Sequence, residues 1–310
     1  MQPVQRFRNQ RDVTFASAIF PSKYSETQAL LLADSIRGFA GTLSGAPIWY
    51  FTPEHGQQLS EAVRGKLLAL DVSLSSFRIS SEVLRFPFAG YVLAAALAES
   101  MARGQTDFLA WLAADTVVLQ EPKDFLLQDG KYLGVRPVHH TLVGSRYDEP
   151  LDPFWALIYR YCKVPEDRAF PMTTIVDETR IRPYFNAGLL VTRPRERLFK
   201  AWCDAFLKAC RGPSFQEFHR MDGRYAIFLH QAILAGVVLA TLTPSQIQQL
   251  PPEYNYPLHL YAQDRTKCRP SHLEELRTFR YEQFFKDSEW MKKIPAKEPL
   301  RQWLSERIPR

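Results

Sequence analysis

The sequence predicts an α/β fold in three layers, a mainly parallel β-sheet with helices on both faces. Three observations carry this reading. Short apolar runs alternate with longer helical patterns, the order that a parallel sheet with crossover helices requires. The segment from Asp107 to Ala113 is apolar after its first residue, as expected of a strand buried on both sides. A chain of 310 residues with 46% hydrophobic and 23% charged content can bury a full core, and it gives no support to a disordered or disulfide-scaffold reading.

The elements follow in order. Val13 to Ile19 reads as the first strand, and Glu26 to Phe39 as a helix capped by Ser25. Pro47 to Thr52 and Val72 to Phe77 are strands on either side of a polar helix, Leu59 to Leu68. A long apolar helix, Phe88 to Ala102, closes on Gly104 in a left-handed cap and leads into the buried strand. In the second half, Tyr132 to Val138 and Phe185 to Thr192 read as strands, and Pro153 to Tyr161 and Glu196 to Ala209 as helices. Tyr225 to Leu242 approaches the length of a membrane span. His230 and Gln231 lie within it and Gly236 breaks it, so the reading is a buried helix, Tyr225 to Ala235, running into a strand. The proline-containing stretch between Cys162 and Pro183 reads as a lid or a plain connector. The division expected is a domain over 1–262 and a basic, aromatic-rich extension over 263–310.

Lys and Arg total 39 against 33 Asp and Glu, a net charge of +6. From Arg265 onward there are 12 basic and 7 acidic residues, so nearly all of the excess lies in the tail and the body is close to neutral. That distribution argues against a nucleic-acid binder, which carries its basic stripe on the folded module. In the tail, Tyr281, Phe284, Phe285, Trp290, Met291 and Trp303 alternate with cations such as Lys292 and Lys293. Such a segment suits an anionic membrane surface or packs its aromatics back onto the body. Four cysteines without a CxxC pair suit a reducing compartment, and Met1 to Asp12 has no apolar leader, so the expectation is a cytoplasmic protein, peripheral at the membrane if the tail binds there.

Ligands of open α/β sheets bind at the carboxyl ends of the strands. Asp115 follows the buried strand, either as a site carboxylate or as a turn cap. Arg136, His139, His140 and Arg146 follow another strand and form a candidate cationic cluster, the alternative being a solvated loop. Asn186 beside Ala187 and Gly188 offers an amide where a ligand can approach the backbone, and Gln231 is a polar residue inside an apolar helix; a buried backbone partner is the other reading for both. Asp177 and Glu178 are the nearest further carboxylates for a base. No GxSxG, GxxxxGK[ST] or GxGxxG occurs, so neither a nucleophile elbow, a P-loop nor a dinucleotide fingerprint applies.

The run Phe108-Leu109-Ala110-Trp111-Leu112-Ala113-Ala114-Asp115-Thr116 resembles the strand-to-loop signature of GT-A glycosyltransferases, the glycogenin-like and bacterial galactosyltransferase group, in which the strand ends in Asp-x-Asp-Thr. Phe185-Asn186-Ala187-Gly188, Leu229-His230-Gln231 and Leu250-Pro251-Pro252-Glu253-Tyr254-Asn255 resemble three later segments of that family in the same order. The resemblance implies a nucleoside diphosphate sugar as donor, a UDP-sugar by preference, and an acceptor it does not identify. It puts Asp115, Asn186 and Gln231 in the catalytic donor site with Gly188 and His230 beside them, and the nucleotide base near Phe20 and Pro21. It implies manganese or magnesium held by Asp115, with His259 as a second ligand. The chain departs from the pattern where Ala113 replaces the first Asp and His230 replaces the Asp before Gln231. One carboxylate makes a weak site for a hard divalent ion, so Arg136, His139 and His140 are the expected substitutes. The functions weighed are a glycosyltransferase, a catalytically silent relative that binds a nucleotide, glycan or protein, and a sugar nucleotidyltransferase, whose Gly-rich loop is missing after the first strand.

Overall fold

The computed structural model describes residues 12–308; the N-terminal stretch read for a leader lies outside them, Asp12 excepted. Its strands in chain order are β1 (Val13–Ala18), β2 (Ile48–Pro53), β3 (Val72–Phe77), β4 (Phe108–Leu112), β5 (Thr116–Val118), β6 (Leu133–Pro137), β7 (Met172–Thr173), β8 (Arg180–Ile181), β9 (Phe185–Thr192), β10 (Ile247–Gln249), β11 (Tyr256–Pro257) and β12 (Thr278–Arg280). Seven of them form one sheet in the order β10-β6-β9-β4-β1-β2-β3, and all run parallel except β9. β1 and β4 sit at its centre, and every residue of both is buried, which is why β4 is apolar throughout and β1 carries only the small polar residues Thr14 and Ser17. β3, at the edge, buries only its first and last residues.

The helices Ala89–Ala102, Pro153–Cys162, Leu198–Arg211 and Gly223–Thr241 cover one face of this sheet, and Lys23–Phe39 and Glu61–Ala69 cover the other. The helix Leu198–Arg211 buries Leu198, Phe199, Trp202, Cys203, Phe206 and Ala209, the one-sided spacing of an amphipathic helix. Arg197 at its start is left-handed and offers no side-chain cap. Glu99 of the neighbouring helix takes that role, accepting from the backbone N–H of Phe199 at 3.0 Å and of Lys200 at 2.8 Å. The helix Lys23–Phe39 begins earlier than expected, because Ser22 is its cap and Ser25, in the first turn, is the reciprocal partner. Gly104 does adopt the left-handed conformation, at φ +79°.

One expectation fails at Gly236. The helix Gly223–Thr241 runs straight through it, with no strand following directly. A Cβ at Gly236 would lie 2.6 Å from Cys162 Sγ and 3.0 Å from Ile158, so this glycine marks a close helix crossing rather than a helix end. The helix is long and apolar enough to span a membrane, yet from Leu229 to Leu239 every residue is buried in the protein.

The chain beyond residue 262 is built into the fold. β12 pairs antiparallel with β5 and parallel with β11. Phe279, Tyr281, Phe285, Trp290, Ile294 and Leu304 are buried with Leu31 and Val117 of the body. Trp303 packs edge-on against Phe39 at 4.9 Å, and Arg307 pairs with Asp34. Of the tail aromatics, Tyr281, Phe285 and Trp290 therefore pack inward onto the body, each contributing about 1.5–3 kcal/mol by burial, while Phe284 and Trp303 are half-buried against the same cluster.

Candidate active site

Because β9 runs against its neighbours, its amino end lies at the same edge of the sheet as the carboxyl ends of β4 and β6. Two loops, Ala113-Ala114-Asp115 and Val138-His139-His140, converge there with Asn186-Ala187-Gly188 near the start of β9. The helix Gly223–Thr241 adds His230 and Gln231, and the C-terminal third adds His259, Arg280 and Glu282. Together with the aromatic walls Phe88, Tyr91, Trp111, Tyr184, Trp202 and Phe228 they line a cavity of about 560 Å³, within the usual range for a small-molecule site.

Asp115 is buried, and Arg280 engages both of its oxygens. Arg280 Nε donates to Oδ1 at 3.0 Å and Nη2 to Oδ2 at 2.9 Å. The backbone N–H of Glu282 adds a third bond to Oδ2 at 3.1 Å. The main chain reinforces the pairing, since Tyr281 N–H donates to the Asp115 carbonyl at 3.1 Å. Burial works against the Arg280 charge, but Asp115 and then Glu282 outweigh it and hold the guanidinium ionised.

The family's divalent metal does not fit these residues. A hard cation needs several oxygen ligands, and both Asp115 oxygens are committed to a guanidinium. Among the described residues no three His, Cys, Asp or Glu side chains converge on one point. His259 lines the same cavity, but its Nε2 faces Glu282 Oε1 at 3.4 Å and burial lowers its pKa. Ala113, at the place of the missing Asp, donates its backbone N–H to Gly188 at 2.8 Å.

The floor of the cavity is a set of internal bonds. Asn186 Oδ1 accepts from Gly188 N–H at 2.9 Å, and its Nδ2 reaches His139 Nε2 at 3.4 Å. Gln231 Oε1 accepts from Ala187 N–H at 3.0 Å. Both amides thus line the cavity and brace its backbone. Burial pushes the His139 pKa well down, so it is neutral. His230 is held to about 4 for the same reason. Its Nδ1–H donates to the Ile227 carbonyl at 2.9 Å, which leaves Nε2 as an acceptor. Its ring stacks on Phe88 at 4.3 Å, and Phe88 sits in the left-handed region at φ 60°. A neutral stacked imidazole thus stands where the resemblance puts a carboxylate.

The expected cationic cluster is not assembled. His139 and His140 reach the cavity, but Arg136 is outside its lining, buried and donating from Nη1 to the Leu250 carbonyl at 2.8 Å. Burial lowers the Arg136 pKa to about 10. Arg146 is exposed beside Glu149. Phe20 and Pro21 are not in the lining either; the Phe20 ring packs on Tyr91 at 4.8 Å and Phe77 at 6.3 Å. Asp177 accepts from the Thr141 backbone and hydroxyl, both at 3.1 Å, and so braces a loop. Glu178 is exposed. Sequence reasoning missed Arg280 and Glu282. The available signal was a single charge within Thr278-Phe279-Arg280-Tyr281, since a cation in an otherwise apolar strand demands a partner.

Comparison with known proteins bears on the fold and the family. No curated protein sequence matches the chain. An apo structure of the bifunctional glycosyltransferase WbbM superposes with a TM-score of 0.51 at 13% identity, over 99% of this chain and 53% of that one. The chain thus spans about half the length of that protein. The galactosyltransferase LgtC, solved with donor and acceptor sugar analogues, gives a TM-score of 0.46 at 15% identity over 87% of this chain and 86% of that one. Residues 18–240 match the family model of the Rhodobacterales glycosyltransferase domain. The chain, with its reversed β9 and its cavity at the strand ends of a GT-A sheet, belongs to that glycosyltransferase family.

Proposed function

We propose that the protein transfers a hexosyl group from a nucleoside diphosphate sugar, with UDP-sugars favoured, to an acceptor hydroxyl. The observation that carries this reading is the meeting of Asn186, Gly188 and Gln231 around one cavity of about 560 Å³ at the strand ends. In the transfer, the bond from the anomeric carbon to the diphosphate oxygen breaks and its electron pair leaves with the nucleoside diphosphate. The acceptor oxygen forms the new bond and releases its proton to the medium. The braced amides of Asn186 and Gln231 hold the backbone at Ala187 and Gly188 rigid, so the site meets the sugar already organised.

The test is calorimetric titration with UDP, GDP and their sugar conjugates, followed by an assay for released nucleoside diphosphate. Saturable binding of one diphosphate and its release from the sugar conjugate are expected. Absence of binding by every nucleotide would overturn the reading. The engagement of both Asp115 oxygens within the protein favours a second reading, a silent relative that binds the donor without turnover. Binding without release of nucleoside diphosphate would establish that one instead.

A further inference from the structure

We infer that Arg280 is the cation that receives the donor diphosphate, standing at Asp115 where the family holds a divalent metal. The inference rests on the donor reading above and deepens it. Among the described residues lining the cavity, Arg280 is the one Lys or Arg. The departing nucleoside diphosphate gains negative charge as the anomeric bond breaks, and a fixed cation at that place lowers the barrier. Neither His139 nor His230 supplies it, both being buried and neutral, and Arg136 is turned to the Leu250 carbonyl.

The geometry of the guanidinium fits the role. Asp115 holds Nε and Nη2, which fixes the plane of the group. Nη1 has no hydrogen-bond partner among the described residues and lies over Gly188, where a Cβ would come within 2.5 Å of it. Gly188 thus leaves the space that Nη1 occupies at the cavity. A guanidinium divided in this way has one edge anchored on a carboxylate and one nitrogen free for a phosphate oxygen. Glu282, half-exposed at the rim with Oε1 4.0 Å from Nη2, can turn to solvent when the anion enters. Arg280 also lies beyond residues 18–240, the span of the family model.

The experiment titrates the full chain with UDP, GDP, uridine and guanosine, each with chelator and with manganese. The expected result is diphosphate binding of equal strength in both conditions. Arg280→Ala should weaken the diphosphate about ten- to a hundredfold, the range of a lost hydrogen bond to a charged group, and leave the nucleoside unchanged. Arg280→Lys keeps the charge but cannot hold Asp115 and reach a phosphate together, so it should also weaken the diphosphate; it carries the test if the alanine variant does not fold. Diphosphate binding that requires manganese, or that either variant leaves at wild-type strength, overturns the role of Arg280 while the donor reading stands. Absence of all nucleotide binding overturns the donor reading and this inference with it.

Discussion

Gly188→Ala probes the Asp115–Arg280 pair without touching either charge. A Cβ at this position would lie 2.5 Å from Arg280 Nη1, 3.0 Å from its Cζ and 2.9 Å from Asn186 Oδ1. Carbon does not approach nitrogen or oxygen so closely, so the guanidinium must swing off Asp115 or the Asn186 turn must open. Arg280 is the end of a flexible side chain and yields first. Asp115 then keeps only the Glu282 N–H for its buried charge. Breaking a buried pair on one side costs about 3–5 kcal/mol, and at roughly 2 °C per kcal/mol for a chain of this size the melting temperature should fall by about 6–10 °C. Calorimetric melting of the single and double variants reads this directly. In an Arg280→Ala background the clash with the guanidinium is gone and only Asn186 Oδ1 still crowds the Cβ, so the glycine substitution should cost less there, a coupling of about 2 kcal/mol. Additive effects of the two substitutions, or a Gly188→Ala protein melting within about 1 °C of wild type, would refute the steric argument.

Three further outcomes follow from the same structure. Burial raises the Glu99 carboxyl from 4.5 to about 7; a raised folded value means stability is full below 4.5 and is lost as pH rises through about 7, so Glu99→Gln should flatten that fall in a melting series, and an unchanged slope would count against it. Burial lowers His230 from 6.5 to about 4; its contribution is full above 6.5 and is lost as pH falls through about 4, so His230→Asn should reduce acid sensitivity in that window, against the opposite slope of Glu99. Ending the chain after Ala262 removes β12 and uncovers Leu31, Val117 and Leu119, so the truncated protein should lose its cooperative melt; a native-like transition by calorimetry would show that the body folds alone.

The layers of the fold were legible because burial on two faces writes itself into the sequence as unbroken apolar runs. β4 is such a run, and the limits of β1, β4 and β9 in the sequence fall within a residue or two of those in the structure. Gly236 misled because a glycine within an apolar helix has two causes, a helix end or a close crossing, and only the position of Cys162 decides between them. The tail allows two readings for a related reason. Its aromatics carry no period long enough to show a face, and what they cover, the outer side of Lys23–Phe39 and the short strand β5, is set by tertiary pairing. In the site, Asp115, Asn186, Gly188, His230 and Gln231 were visible as polar or small residues at the ends of apolar elements, and the cavity brings all five together. Arg280 was not, since its partner lies 165 residues away.

Charge balance ties the departures from the family pattern together. Two carboxylates around a divalent cation sum to zero, and so do one carboxylate and one guanidinium. On this reading Ala113 is the counterpart of Arg280: a second carboxylate there would leave an uncompensated buried charge beside the Asp115 pair, which is costly in a low-dielectric site. The neutral His230 follows the same direction, removing a further negative charge from a cavity whose permanent cation carries one unit rather than two. A guanidinium differs from a metal in one respect that bears on function. It is covalently part of the chain and positioned by β12, so the site is complete only when the C-terminal segment has docked against β5. Folding of that segment and assembly of the candidate diphosphate site are then a single event.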